Sequence, residues 1–208
     1  MVVKGEKVLT KLTESFKELA NCVNSPKPRL EVGQFVSACR DMVPFIVYLG
    51  MVLKFAAMEF SAKVDALVEG SKPIDTLEDL IDRDIEHKCA KVSCSNSRNL
   101  VRVKRSIDML KIVFEQILNQ RGNSLIGPVS RAYEQVFAPY HGWAIRTAAY
   151  TAINFVPTMA QVLKKCNENE ASARIQMQNY VIASSSVLQY IENLFHSRES
   201  GEEVLELV

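Results

Sequence analysis

The sequence predicts an all-α fold in which about eight helices pack in layers around an apolar interior. Apolar side chains recur at three- and four-residue spacings along nearly the whole chain, which is the period of an amphipathic helix. Runs rich in Val, Ile and Thr are short and lie inside those helical patterns, so strand signals are sparse. Hydrophobic residues make up 48% of the 208, enough for a large core, and one domain is expected over residues 1–208.

The first part of the chain predicts two long helical stretches. In residues 7–23 the apolar side chains repeat on one helix face, and Asn24-Ser-Pro-Lys-Pro28 then breaks the chain. A second apolar-rich stretch runs from about residue 31 to residue 69, with a kink or break expected near Pro44.

Six further helices are predicted after residue 75. Thr76-Leu-Glu-Asp79 resembles a capping box that opens a helix to about Lys91. Proline and polar turns separate the shorter helices, and the tail from His196 is expected to be frayed, which leaves a core at about residues 7–195. The five remaining helices are predicted at 98–119, 125–137, 141–155, 158–165 and 170–195.

Net charge and cysteine content restrict the function classes. The formal net charge is +1, so no field over the whole molecule favours nucleic acid, and any anion site must be local. Five cysteines without dense spacing do not suggest a disulfide framework, and reduced thiols fit a cytoplasmic protein. Cys89, Cys94 and His87 are close in sequence, but no second ligand cluster follows, so no metal site is predicted.

No signal peptide or membrane-spanning helix is predicted. The N-terminal segment lacks a continuous apolar core. The longest apolar stretch, residues 42–58, is interrupted by Pro44, Gly50 and Lys54 and falls short of the about 20 residues that span a bilayer. Any contact with a membrane is therefore expected to be peripheral and transient.

The segment from His87 to Arg105 is the most unusual in the chain. It contains six Lys or Arg side chains and no acidic residue. On a helix, Arg98, Arg102 and Arg105 share one face because they are spaced four and three apart. Two guanidiniums one turn apart offer paired planar donors, which suit a phosphate.

Two other interpretations of this segment stay open from the residues alone. One is a solvated basic face that pairs with acidic side chains from elsewhere in the fold. The other is an RNA-binding stripe, which would interleave aromatic side chains with the basic ones, and none lies here. Similarly, Glu59 and Lys63 suggest an ordinary helix ion pair, His141 a surface or satisfied core histidine, and Trp143 a core tryptophan.

No arrangement of catalytic residues is recognisable. The chain has no Gly-rich phosphate loop, no GxSxG or HExxH motif and no acidic metal cluster. Three histidines leave little for general base catalysis. The sequence therefore favours a binding function without a cofactor over an enzymatic one.

Two segments are informative together: Arg98-Asn-Leu-Val-Arg-Val-Lys-Arg105 and Phe137-Ala-Pro-Tyr-His-Gly-Trp-Ala-Ile-Arg146. They resemble the glycolipid transfer protein family, over most of the chain, and most of all its plant accelerated-cell-death branch, whose lipid is ceramide-1-phosphate. Arg102 stands where sugar-binding members have a tryptophan that stacks on the sugar. The resemblance implies a two-layer helical sandwich that encloses the tails of one lipid.

The resemblance also implies roles for single residues. Lys63, Arg98 and Arg102 match the residues that hold the lipid phosphate, and His141 matches the histidine that hydrogen-bonds the amide carbonyl of ceramide. Glu59 stands where the family has an aspartate that receives the amide N–H and a hydroxyl. The charge is kept there, but the carboxylate lies one methylene further out.

Membrane contact and tail binding are implied in the same way. Trp143 matches a membrane-contacting tryptophan, and Arg146 and Lys165 complete a plausible contact patch. Apolar residues that periodicity assigns to the core would line the tail pocket. They are Phe45, Leu49, Leu53, Phe55, Val103, Ile107, Leu110, Phe114, Phe137, Ile145 and Phe155.

The implied function is transfer of ceramide-1-phosphate, or a related phosphorylated sphingolipid, between membranes. The lipid tails are already out of water in a bilayer, so selectivity would come from the headgroup, where an unpaired polar group is costly. Three alternatives remain. One is a sphingolipid sensor or adaptor that acts through a protein partner, one is glycosphingolipid transfer, and one is a helical interaction module with a dry core.

Overall fold

Ten α-helices make up most of the chain that the structure, a computed structural model, describes, namely residues 7–50, 53–72 and 74–207. Those residues contain no strand, and Glu31 and Thr76 form an isolated antiparallel bridge. The all-α prediction is confirmed. The helices are α1 (Val8–Val23), α2 (Val32–Tyr48), α3 (Lys54–Gly70), α4 (Leu77–Glu86), α5 (Asn96–Asn119), α6 (Ile126–Val136), α7 (Trp143–Ile153), α8 (Met159–Cys166), α9 (Glu170–His196) and α10 (Gly201–Glu206).

Five of these helices close a ring around the core. Helix α1 packs on α2, α2 on α3, α3 on α5 and α5 on α9, and α9 returns to α1. Four buried aromatic rings meet inside it. The ring centres of Phe16 and Tyr180 are 4.8 Å apart, those of Phe114 and Tyr180 5.3 Å, and those of Phe45 and Phe114 5.1 Å. The four side chains come from α1, α2, α5 and α9, so the cluster joins these helices. Each such pair stabilises the fold by about 0.5–1.5 kcal/mol beyond the burial of its rings.

The break between the second and third helices does not lie at Pro44, where the sequence predicted it. Helix α2 continues through Pro44 to Tyr48. The proline costs one intrahelical hydrogen bond, and the burial of neighbouring Phe45 holds the helix in place. The chain turns instead at Gly50, whose φ of +124° favours glycine and where a Cβ would lie 3.3 Å from the Cδ atom of Pro157.

The predicted capping box at Thr76 is only half formed, and α4 is shorter than expected. The Thr76 hydroxyl accepts a hydrogen bond from the Asp79 backbone N–H at 3.1 Å. It also donates to the Asp79 carboxylate at 2.6 Å, so that carboxylate does not reach back to the backbone. The helix ends at Glu86 instead of near Lys91, because Lys88 adopts a left-handed backbone conformation with φ of 53°.

The tail beyond residue 196, predicted to be frayed, is ordered in a short helix. Helix α9 ends at His196, and α10 folds back on both α9 and α5. The side chain of Val204 is buried, and the Arg105 guanidinium donates a 2.8 Å hydrogen bond to the carbonyl of Leu205. The sequence analysis missed α10 because six residues carry too little periodicity to identify a helix.

Across the described ranges, no helix is both long and apolar enough to cross a membrane. Helices α5 and α9 have 24 and 27 residues, but α5 carries charged side chains along its length and the interior of α9 contains several Gln, Asn and Ser side chains. The residues that the structure describes also contain no group of three or more His, Cys, Asp or Glu side chains that could hold a metal ion.

Gly201→Ala should weaken the attachment of α10. A Cβ at position 201 would lie 1.9 Å from the carbonyl oxygen of Phe195, a backbone atom that cannot rotate away. We expect the free energy of unfolding to fall by about 2 kcal/mol, measured by urea denaturation, with faster amide exchange over residues 201–206. Gly33→Ala in α2 is the matched control, since a Cβ there meets nothing within 4 Å. An equal loss in both variants would contradict this explanation.

Candidate functional site

Helix α5 begins at the buried carboxylate of Asp84, in the last turn of α4. Its Oδ2 accepts hydrogen bonds from the backbone N–H of Ser97 at 2.6 Å and from the Ser97 hydroxyl at 2.9 Å. Its Oδ1 accepts one from the side-chain amide of Asn96 at 3.1 Å. A negative charge is favourable at a helix N-terminus, and the Ser95 hydroxyl caps the same turn by accepting the Arg98 N–H at 3.1 Å. The start of α5 is therefore fixed.

Arg98 and Arg102 project from the first two turns of α5. Each is half-buried, and each donates from Nη1 to a backbone carbonyl of the preceding loop, Lys91 at 3.4 Å and Ser93 at 3.2 Å. Burial, and then the charge of Arg102, lower the pKa of Arg98. The two guanidiniums are thus close enough for the charge of Arg102 to disfavour the cationic form of Arg98, an effect that a nearby anion would oppose.

Arg105 does not join this pair, although helical spacing placed it on the same face. Its guanidinium carbon lies 3.6 Å from the centre of the Tyr140 ring, and the residue is buried. Burial lowers the pKa of Arg105, while Tyr140 opposes that shift. Arg105 therefore holds α5 to the turn before His141 and to the carbonyl of Leu205 in the C-terminal segment.

Two other cations of the basic segment pair with acidic side chains from distant parts of the chain. Lys104 lies 2.5 Å from the Glu192 carboxylate, and Lys91 forms an ion pair with Glu203. The interpretation as a basic face paired with acids therefore holds for these lysines. For Arg98 and Arg102, the hydrogen bonds described above go to neutral carbonyls instead.

Glu59 and Lys63 form the expected ion pair on α3, the helix that packs against α5. Nζ of Lys63 is 3.1 Å from Oε1 of Glu59. The Lys63 side chain is 23% exposed and that of Glu59 68%. The lysine thus faces partly into the protein, and the carboxylate faces solvent.

His141 follows a short 3-10 turn formed by Ala138–Tyr140. Its Nδ1 is 3.0 Å from the hydroxyl oxygen of Tyr133, and its ring stacks on Phe137 at a centre-to-centre distance of 5.7 Å and 19° between planes. Burial, and then the charge of Arg105, lower the pKa of His141. The histidine is therefore neutral at pH 7.

Arg105 interacts electrostatically both with the arginine pair on α5 and with His141. It acts on His141, and the charges of Arg98 and Arg102 act on Arg105 in turn. Such interactions need proximity in a protein interior. Arg105, one turn after Arg102 on α5, lies over the ring of Tyr140, the residue before His141, and the Glu59–Lys63 pair lies on the adjacent helix α3.

Trp143 is a surface residue, not the core tryptophan that its hydrophobicity alone suggests. It is the first residue of α7 and is 77% exposed. In this helix only Ile153 is buried, and Ile145 is exposed as well. An apolar helix with so little burial marks a surface that contacts another apolar phase or partner.

The residues predicted to line the tail pocket fall into three groups. Leu53 and Phe137 are half-buried. Phe55, Ile145 and Phe155 lie on the surface instead of in the interior, because they occupy the first turn of α3, the outer helix α7 and the segment after it. The others are buried in the core: Phe45, Leu49, Val103, Ile107, Leu110 and Phe114.

The sequence model of the glycolipid transfer protein family matches residues 30–168. The chain belongs to the glycolipid transfer protein family. The matched range contains Glu59, Lys63, the arginine pair on α5, His141 and Trp143. The family predicted from the sequence is confirmed.

The relatives extend this similarity over nearly the whole chain. Accelerated cell death 11 of Arabidopsis thaliana is 46% identical over 199 residues, covering 95% of this chain and 97% of that protein. A crystal structure shows that protein, with one aspartate mutated to asparagine, complexed with C12 ceramide-1-phosphate. It superposes on this chain with a TM-score of 0.90 at 47% sequence identity. The match covers 93% of this chain and 96% of that chain. Human ceramide-1-phosphate transfer protein, in complex with 12:0 ceramide-1-phosphate, shares the fold with a TM-score of 0.84 at 17% identity, over 98% and 100% of the two chains.

Three residues near the candidate site escaped the sequence analysis: Asp84, Tyr133 and Tyr140. Each acts through a partner that is separated from it in the sequence, so no local spacing reveals the contact. Only the short interval between Tyr133 and His141, which contains the end of α6 and one 3-10 turn, could have suggested a contact.

Asp84→Ala should destabilise the fold at the start of α5. It would leave the Ser97 N–H and two side-chain donors without their acceptor in a buried place. We expect the free energy of unfolding to fall by about 3 kcal/mol, measured by chemical denaturation. Glu86→Ala removes an exposed carboxylate from the same helix and serves as control. If both variants were equally stable, Asp84 would not be what fixes α5.

Proposed function

We propose that this protein moves ceramide-1-phosphate between membranes without catalysing a reaction. The lipid phosphate binds to Lys63, Arg98 and Arg102, and the ceramide amide binds to Glu59 and His141. The observation that carries the proposal is the arginine pair on α5, held by neutral carbonyls at the end of a helix whose position the core fixes.

Charge and shape favour a phosphate over a sugar. Two guanidiniums present planar N–H pairs that match phosphate oxygens, and each bond is assisted by charge. A hexose would instead need an aromatic face for stacking, and Arg102 offers none. The half-buried Lys63 side chain on α3 supplies a third cation beside α5.

The amide is recognised by a donor and an acceptor. Neutral His141 donates to the carbonyl, and the Glu59 carboxylate accepts the amide N–H. Glu59 is longer than the family aspartate, and its ion pair with Lys63 draws the carboxylate along α3 toward the phosphate subsite. The Arabidopsis relative was crystallised with ceramide-1-phosphate after one of its aspartates had been changed to asparagine, which is consistent with tolerance at an acidic position.

The lipid tails enter the core between helices. Phe45 on α2 and Phe114 on α5, two of the residues expected to line the tail pocket, are in edge-to-face contact in this core. Each CH₂ group is worth about 0.8 kcal/mol on leaving water, but it gains almost nothing on leaving a bilayer. Tail binding is therefore nearly neutral and headgroup contacts select the lipid.

Docking uses the exposed apolar side chains near the site. Trp143 and Ile145 lie on α7, and Phe155 directly follows it, all exposed. Arg146 on α7 and Lys165 on α8 are also exposed and supply positive charge. The protein therefore works from the cytosol and touches membranes transiently, so that the tails pass from bilayer to core without crossing water.

Transfer between vesicles tests the phosphate site. The wild-type protein should move labelled ceramide-1-phosphate well, and galactosylceramide and phosphatidic acid poorly. Arg102→Ala should lower ceramide-1-phosphate transfer by about tenfold or more, because a charge-assisted bond is lost. The control is Arg121→Ala, an exposed arginine in the loop after α5, which should transfer at the wild-type rate. Preference for galactosylceramide would refute the phosphate assignment, and tight binding without transfer would favour a lipid sensor.

Trp143→Ala tests the docking surface. Vesicle transfer should slow by about tenfold because a large interfacial side chain is lost, while the affinity for short-chain ceramide-1-phosphate in solution should stay unchanged. Ile182→Ala is the matched control, since Ile182 is equally an exposed apolar residue, but on α9. Equal transfer rates for wild type and Trp143→Ala would show that α7 does not dock.

A further inference from the structure

Tyr133 contacts the histidine of the candidate amide subsite through a single hydrogen bond. It lies on α6, is 5% exposed, and has its hydroxyl oxygen 3.0 Å from Nδ1 of His141. The ring centres are 5.8 Å apart. Nothing in the sequence motifs of the family resemblance assigns this tyrosine a part.

The protonation of both groups restricts how they can be bonded. A neutral imidazole has one N–H donor and one acceptor nitrogen. His141 is neutral because burial and the Arg105 charge disfavour its cation. Burial raises the pKa of Tyr133, so its hydroxyl keeps the proton that it can donate.

We propose that Tyr133 is a positioning residue that donates a hydrogen bond to Nδ1 of His141 and thereby presents Nε2–H to the lipid amide carbonyl. If His141 had its proton on Nδ1, the nitrogen facing the lipid would be an acceptor opposed to another acceptor. The carbonyl partner rests on the proposed function, whereas the tautomer is a property of the protein alone.

Neighbouring rings hold both partners of this hydrogen bond in place. Phe137 stacks on the imidazole, which restricts the ring plane of His141. Tyr150 on α7 meets the Tyr133 ring edge-to-face, with 5.4 Å between ring centres and 83° between planes. The tyrosine hydroxyl and the imidazole are therefore both held before a ligand arrives, which lowers the ordering cost of binding.

The tautomer can be observed directly by nitrogen-15 NMR of the protein labelled at its three histidines, with His141→Gln used to assign the His141 signals. In the wild type, Nε2 should show the signal of a protonated nitrogen and Nδ1 that of a lone-pair nitrogen. In Tyr133→Phe, a measurable share of His141 should have its proton on Nδ1. A wild-type protein with Nδ1 protonated, or a variant with an unchanged tautomer, would overturn the proposal.

Lipid selectivity provides the second measurement. Tyr133→Phe should lose about fivefold in ceramide-1-phosphate affinity, and should lose much less for phosphatidic acid, which has esters and no amide. The control is Tyr190→Phe, which removes the hydroxyl of a half-buried tyrosine on α9 that interacts with the backbone of Leu30. It should leave both affinities and the His141 tautomer unchanged.

The two measurements separate this proposal from the proposed function. Equal losses for both lipids in Tyr133→Phe, or equal losses in the two tyrosine variants, would indicate a general structural effect and overturn the positioning role. If the wild type bound no ceramide-1-phosphate, the proposed function would fail, and the predicted tautomer and its change in Tyr133→Phe would still be decided by NMR.

Discussion

The hydrogen bonds that Asp84 accepts from Ser97 and Asn96 set the first turn of α5. That helix also packs on α3, α6 and α9, so its start cannot shift without disturbing the ring of helices. Arg98 and Arg102 project from these turns, and their backbone positions are decided by core packing. Two cationic side chains are thus placed one helical turn apart during folding, before any ligand is present.

The type of partner distinguishes the cations of the basic segment. Lys104 pairs with the Glu192 carboxylate, whereas the hydrogen bonds given above hold the guanidiniums of Arg98 and Arg102 to neutral carbonyls. Arg105 is held a third way, over the Tyr140 ring. One short segment therefore serves three purposes, and only the tertiary environment separates the side chains that fasten helices from those suited to an anion.

Long periodic helices could be predicted from the sequence, and features fixed by distant contacts could not. The bounds of α5 and α9 were within two residues of those predicted, because many apolar positions repeat in each. The break after α2 was misplaced because Pro44 removes only one hydrogen bond, while the turn depends on Gly50, whose positive φ favours glycine. In the site, the resemblance indicated His141, but its tyrosine partner depends on how α6 meets the following turn.

The exposure of α7 also affects how copies of the protein behave toward one another. Trp143 and Ile145 give each molecule an attractive apolar surface, and a formal net charge of +1 supplies little long-range repulsion. In concentrated solution, contact between such surfaces would lead to reversible self-association. Vesicles or detergent micelles that covered this surface would compete with such contacts and keep the molecules apart.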